Sequence, residues 1–377
     1  MATDTPSDAA DAPEWRRAAR AFAVDGEWLD AEPISTGHIN ASWLARCRTT
    51  TGIRRFVLQS INTRVFTRPD VLMDNLVRVT EHLARAVERR GVGDAERRCL
   101  RVVRARDGAT TVRLDGPDPW RAFPYIERSR HHDVASSPAV AAEAGRVFGR
   151  FAADLADWSG PPLGETIPRF HDFPLRVSAL EAAVAADARE RSAAVEPEVE
   201  AALAGAEALR AALATAGADE WPVRVVHNDC KLNNALFDVE TGEGLCAVDL
   251  DTVMPGRIAY DVGELVRSAT CAAPEDERDL SRVGFDLDLF AVAVRGYLDG
   301  AEGLLTPAER AGLPLAGPLM TLENGVRFLT DHLEGDVYFP AHRPGHNLDR
   351  ARVQLQLFQS MWAARDRAVR AVEGATD

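Results

Sequence analysis

Apolar residues recur along this chain with two different periods, and the change of period divides it. Between about Trp28 and Tyr125 alternation dominates. ASWLARCR alternates, RRFVLQSI reads as a buried strand, and CLRVVRAR with TTVRLD reads as a hairpin turning at Asp107-Gly108. Within this β-rich stretch, VLMDNLVRVTEHLARAVER places Leu72, Leu76, Val79 and Leu83 at helical spacing, which predicts one helix with a single apolar face. A short amphipathic helix over EWRRAARAF precedes the strands. Met1 to Pro13, polar and acidic at a terminus, is expected to be a disordered tail.

From about Pro138 the period is helical. PAVAAEAGRVFGRFAADLADW carries Val140, Val147, Phe151, Leu155 and Trp158 on or near one stripe, and Leu175–Ala216 reads as two helices broken near Pro197. One β island interrupts the helices: VRVVHND, NALFD, a TGEG turn and LCAVDLD. Helices resume at about Ala259, and no internal repeat is present. The expectation is an α+β, bilobal chain. A β-rich lobe with one main helix (14–124) is joined near Pro119–Arg128 to a mostly helical lobe (125–377) holding a single hairpin.

Composition narrows the function classes. The 377 residues carry 44 basic and 58 acidic side chains, a formal charge of −14. An acidic balance of this size argues against a nucleic-acid partner, which calls for a basic surface, and against an anionic membrane. No apolar run reaches membrane-spanning length, and the first residues lack the basic start and apolar core of a signal peptide. The five cysteines (Cys47, Cys99, Cys230, Cys246 and Cys271) form no C-x-x-C pair, so reduced thiols and a cytoplasmic location are expected. The basic side is almost wholly arginine. Lys231 is the only lysine in the chain.

That lysine lies in the stretch richest in chemistry. VRVVHNDCKLNNALFD holds His227, Asp229, Lys231 and Asn234 in the order H-x-D-x-K-x-x-N, and LCAVDLD ends an apolar strand at Asp249, with Asp251 two residues on. Phosphoryl transfer needs a carboxylate to position and deprotonate the acceptor hydroxyl, and oxygen ligands for a Mg²⁺ that bridges phosphates. Taken singly, Asp229 or Asn234 reads as a cap or turn former. The ordered set of loop, hairpin and strand-end aspartate reads as catalytic. His227 is expected to brace the loop, and Asp261 to anchor it or cap a helix. Asp251 either assists a second metal or caps the following turn.

With these motifs in view the chain resembles the aminoglycoside phosphotransferase/choline kinase branch of the protein-kinase-like fold. Within that branch it looks most like the N-acetylhexosamine 1-kinases. The resemblance spans nearly the whole chain after the tail and is carried by ISTGHINASW, FVLQSINTRVFTRPDVLMDNLVRVTEHL, HNDCKLNN, VDLDTVMPGRIAYDVGEL and RFLTDHLEGDVYFPAHRPGHNLDRARVQLQLF. It implies Asp229 as catalytic base, Asn234 and Asp249 as Mg²⁺ ligands, and ATP as donor.

One departure stands out against the kinase pattern. FVLQSI presents Gln59 where a lysine contacts the α- and β-phosphates, so phosphate neutralisation must come from elsewhere. Glu81, on the N-lobe helix, is either the partner of Gln59 or an exposed helical glutamate. Lys231, two residues after the base, is read as a stabiliser of transition-state charge. Ser35, Thr36 and Gly37 of the ISTGHINASW turn are expected over the nucleotide phosphates, with His38 reaching substrate or phosphate. Pro124, Tyr125 and Ile126 of AFPYIERS are expected at the adenine. The resemblance implies that Arg327 and Tyr338 face a sugar, with Trp362, Asp331 and Phe339 as further polar or aromatic candidates.

The expected function is therefore ATP-dependent phosphorylation of the anomeric hydroxyl of an N-acetylhexosamine. The rivals are the same chemistry on an aminoglycoside, another sugar or an amino alcohol, and a nucleotide-binding pseudokinase, for which Gln59 is the only support.

Overall fold

The computed structural model describes residues 12–34 and 39–374. The expected tail, apart from its last two residues, lies outside them. The chain forms two compact units. One holds the chain up to Ser129 with Pro162–Pro168 and Leu250–Val253; the other holds Arg130–Pro161, Arg169–Asp249 and the remainder from Met254.

The first unit is built on a four-stranded antiparallel sheet in sequential order: β1 (Glu27–Pro33), β2 (Ala41–Thr49), β3 (Gly52–Ser60) and β4 (Trp120–Pro124). The alternation of β2 turns Ala45 and Cys47 inward, where they meet Trp28, Phe56, Leu58, Trp120 and Ala122. Helix α1 (Glu14–Ala21) adds Ala18 and Ala19 to this core. Helix α2 (Pro69–Arg90) starts with proline in its first turn and ends at Gly91, whose φ of 62° suits a residue without Cβ. Its buried face holds Leu72, Leu76, Val79 and Leu83, the stripe expected from the sequence. Asn75 on the same face is a clasp. Its amide donates to the carbonyls of Gly164 (2.7 Å) and Val253 (3.0 Å), and its oxygen accepts from the Gly164 N–H. Two distant chain segments are thereby fixed to this unit.

The hairpin expected at Asp107-Gly108 does not form. The turn is present, with the Gly108 N–H donating to the Ala105 carbonyl and the Ala105 N–H to the Ala109 carbonyl, but its flanks form no ladder beyond that single closure. Val103 bridges to Ala122, Val112 to Trp120 and Ala105 to Phe22. The open edge of β4 takes both flanks as isolated bridges, which satisfies their backbone without a continuous ladder.

The second unit is mostly helical. Helix α3 (Pro138–Asp154) stops one turn short of the Trp158 expected from the pattern. It packs against α7 (Leu287–Gly300) backbone to backbone: a Cβ on Gly149 would lie 2.1 Å from the Tyr297 carbonyl, and one on Gly296 2.1 Å from the Ala142 carbonyl. Helices α4 (Phe173–Ala186) and α5 (Glu196–Thr215) match the expected pair, and Pro197 opens the second of them. Both pack on the long α8 (Pro307–Glu334), and α5 also packs on α9 (His346–Ala363), through a core that includes Leu180, Leu209, Leu322, Leu329 and Phe358. Against this helical body lie the short strands β5 (Arg224–Val226), β6 (Ala235–Asp238), β7 (Gly244–Ala247) and β8 (Met254–Gly256), followed by α6 (Ile258–Ala269); α10 (Arg365–Glu373) closes the chain. Strands β6 and β7 form the expected hairpin, with Ala235 opposite Ala247, while β5 pairs with β8. Among the described residues no helix is long and apolar enough to cross a membrane.

Candidate active site

The loop between β5 and β6 carries the sequence-predicted residues. Asp261, fully buried on α6, accepts from the backbone N–H of His227 (3.1 Å) and of Asn228 (2.7 Å). Burial raises the pKa of Asp261, and these N–H donors oppose that rise. The expected anchor is therefore realised. His227 is sealed under the edges of Phe148 and Phe151. Its Nε2 donates to the Val248 carbonyl (3.0 Å) and its Nδ1 accepts from the Asp229 N–H (3.3 Å), so both nitrogens brace the loop.

Asp229 is half-buried, and its Oδ2 lies 3.0 Å from the Lys231 ammonium. Burial pushes the carboxyl upward, but Lys231, His227 and Arg267 together outweigh it and the net pKa is lowered. For Lys231 burial works downward, yet the carboxylates of Asp229 and Asp249 outweigh it and hold the ammonium above its usual range. The only lysine is thus a firmly charged group between two site carboxylates.

Asn234 ends a 3-10 turn over Leu232–Asn234 and points its amide nitrogen at Asp229, 2.9 Å from the carbonyl and 3.2 Å from Oδ2. This leaves Oδ1 as the outward donor atom. The Asn234 carbonyl accepts from the Val248 N–H (2.9 Å), which sets Asp249 next to it. Asp249 has a φ of 61°, a left-handed conformation that aspartate tolerates better than most residues, and its side chain is exposed. One amide oxygen and one exposed carboxylate fit Mg²⁺, a hard ion that keeps several waters and takes its remaining ligands from phosphate.

A second cluster lies on the same unit. The Arg327 guanidinium sits over the rings of Phe170 (5.1 Å), Tyr338 (5.8 Å) and Phe339 (5.2 Å). Asp331 is engaged elsewhere: its oxygens accept from the N–H groups of Val337, Tyr338 and Phe339 and from Asn347, so it shapes the loop that presents the aromatics. Trp362 stacks on Phe358 at 5.6 Å with the Arg365 guanidinium over its ring.

In the first unit, Gln59 is occupied at both ends. Its Nε2 donates to Ser42 Oγ (2.9 Å), and its Oε1 accepts from Arg121 Nε (3.0 Å). Arg121, directly opposite on β4, also pairs with Asp251, which accepts from Asn40 (2.7 Å) as well. Glu81 is not the partner of Gln59; it is exposed and paired with Arg104 at 3.0 Å, because α2 turns that face to solvent. Along the hinge segment, the Tyr125 N–H donates to the Arg55 carbonyl, Ile126 is buried, and Pro124 pairs with Phe56. Ser35, Thr36, Gly37 and His38 lie outside the described residues.

The profile of the phosphotransferase enzyme family, APH, matches residues 30–293. The chain belongs to that family. Among solved structures it is similar to an aminoglycoside phosphotransferase from Alicyclobacillus acidocaldarius, at 15% identity over 97% of each chain with a TM-score of 0.57. It is also similar to a choline kinase from Cryptosporidium parvum, at 11% identity over 92% of this chain and 93% of that one with a TM-score of 0.56. These likenesses establish the protein-kinase-like fold.

Two residues of this phosphotransferase are missed by sequence reasoning. Arg121 carries the only buried positive charge bonded to Gln59. Nothing in WRAFP marks it in a chain where arginine replaces nearly every lysine. The second is His171, a lone histidine whose partner Glu323 is distant in sequence. No spacing rule joins them.

Proposed function

We propose that this phosphotransferase moves the γ-phosphoryl group of ATP onto the anomeric hydroxyl of an N-acetylhexosamine, giving the sugar 1-phosphate. The observation that carries this is the Asp229–Lys231 pair at 3.0 Å on a loop anchored by Asp261. The ionised Asp229 accepts a hydrogen bond from the acceptor hydroxyl, aims its oxygen at the phosphorus and takes the proton as the new O–P bond forms. A loose transition state needs little proton removal beforehand, so a carboxylate of lowered pKa suffices. Lys231 offsets negative charge that develops on the transferring group. Asn234 Oδ1 and the Asp249 carboxylate would hold Mg²⁺, which when bound supplies charge neutralisation at the phosphates. Pro124, Tyr125 and Ile126 would border the adenine, and Ser35 to Gly37 would cover the phosphates. The five cysteines are buried, and none is in a disulfide. This suits a reducing compartment, and we place the enzyme in the cytoplasm.

Two features favour a neutral, hydroxyl-rich acceptor. Arg327 among Phe170, Tyr338 and Phe339 offers N–H donors beside apolar ring faces, the combination that suits a pyranose. Arg176 donates to the carbonyl of Phe170 (2.8 Å), the residue whose ring Arg327 covers, which places a second cation at this cluster. Two such cations disfavour an aminoglycoside or choline, the acceptors named for similar structures. The test is ADP release with ATP and Mg²⁺ over N-acetylhexosamines, other sugars, aminoglycosides and amino alcohols. Turnover on an N-acetylhexosamine with phosphate on the anomeric oxygen is expected. Turnover confined to another acceptor overturns the sugar assignment, and nucleotide binding without any turnover would mark a pseudokinase.

A further inference from the structure

We infer that His171 is a positioning residue that ties the peptide preceding the candidate base to helix α8. His171 Nε2 lies 2.8 Å from the Asn228 carbonyl, and its Nδ1 lies 2.7 Å from Glu323 Oε1. Both partners are acceptors, so both ring nitrogens donate and the imidazole is doubly protonated. The two side chains are 3% and 0% exposed.

The peptide between Asn228 and Asp229 is held at both ends by histidines. Its carbonyl accepts from His171, and its N–H donates to His227 Nδ1. Asn228 itself is left-handed, with φ of 64°. Asparagine tolerates that conformation better than most residues, and here Asp261 holds it on the N–H side and His171 on the carbonyl side. Without the His171 bond this peptide can rotate, and the direction of the Asp229 side chain rotates with it.

The other end of the strut is equally specific. Glu323 stands one helical turn before Arg327 on α8, and Phe170, next to His171, lies under the Arg327 guanidinium. The candidate acceptor contact and the candidate base are thus referenced to one rigid helix. Glu323 Oε2 is buried with no hydrogen-bond partner among the described residues. A buried ion pair with an orphaned oxygen is a poor device for stability, since an apolar pair of similar volume serves as well. Its presence is accounted for by geometry: it fixes an angle.

The inference rests on Asp229 as base, and two substitutions separate it from that assignment. In His171→Gln the amide nitrogen falls near Nε2 and keeps the donor to Asn228. In His171→Asn it falls near Nδ1 and keeps only the donor to Glu323. Steady-state kinetics should show His171→Gln close to wild type in kcat. His171→Asn should lose about 10²-fold, with nucleotide KM little changed, as expected for a base displaced by about an ångström. Equal kcat in the two variants, or the reverse order, overturns the proposal, as does a kcat loss that only follows the fall in Tm. Glu323→Ala removes the acceptor for Nδ1 and decides the matter if neither His171 variant folds: reduced kcat at unchanged nucleotide KM is expected, and unchanged kcat overturns the strut. Asp229→Asn is the control. If that variant keeps full turnover, the base assignment fails; if it is inactive while the His171 variants do not differ, the strut alone fails.

Discussion

Arg121 Nη1 lies 2.6 Å from Asp251 Oδ1 inside the first unit, with the two side chains only 2% and 5% exposed. The pair has a carboxylate that also accepts from Asn40 and a guanidinium that also donates to Gln59, which in turn donates to Ser42, so five side chains share one network with the buried ion pair at its centre. The strand position that lacks a lysine therefore still has a positive charge beside it, supplied from the neighbouring strand.

Removing one member of this pair leaves a buried charge without its partner. Asp251→Ala should destabilise the protein by about 3–5 kcal/mol, read from urea unfolding. Replacing both members with apolar residues, Arg121→Met with Asp251→Leu, should recover most of that loss. A double variant as unstable as the single one would assign the effect to shape and not to charge.

Lys231→Ala should lower kcat by about 10²–10³-fold with a small effect on nucleotide KM. It should also alter the pH profile. Lys231 is the chief influence lowering the pKa of Asp229, against the upward push of burial. Without it the carboxyl titrates at higher pH, and the acidic limb of kcat moves upward. An unmoved acidic limb would contradict the pairing.

Stability should depend on pH through His171. Burial alone would depress its pKa, but the Glu323 carboxylate, helped by its hydrogen bond, the Asn228 carbonyl and Glu264, reverses this and the net shift is upward. Tyr260, its ring tilted by 42° against the imidazole at a centroid distance of 4.9 Å, also faces it. The folded state therefore holds the proton more tightly than the unfolded chain. The contribution is complete below the unfolded value of about 6.5 and disappears as pH rises through the higher folded value. The stability difference between wild type and His171→Gln should shrink over that range in denaturant titrations. A constant difference would count against a protonated His171.

Gly149→Ala tests the seam between α3 and α7. The new methyl would stand 2.1 Å from the Tyr297 carbonyl, so the helices must separate, at a cost of about 1–3 kcal/mol. Because α3 also carries the Phe148 and Phe151 rings that seal His227, kcat should fall together with Tm. A change in Tm alone would show that the loop is insulated from the seam.

The candidate catalytic hairpin was legible because its parts are close in sequence and each has a chemical reason to be there. Asp229, Lys231 and Asn234 fall on one loop, and β6 and β7 return the chain so that Asp249 follows Val248 beside Asn234. Helix α2 was legible from the period of its apolar face. The rest depends on partners far apart in the chain. Asn75 reads as a polar break in that face until Gly164 and Val253 are brought to it. Val103 and Val112 have strand-like surroundings, but the edge of β4 takes them separately. Arg121 and His171 gain meaning only from Asp251 and Glu323.

A chain with a single ε-amine has a built-in spectroscopic reporter. Isotope-labelled lysine would give one side-chain ammonium signal, from a nitrogen 3.0 Å from the Asp229 carboxylate. Its chemical shift would follow nucleotide, metal and acceptor as each is added to the otherwise unmodified enzyme, with no assignment problem to solve.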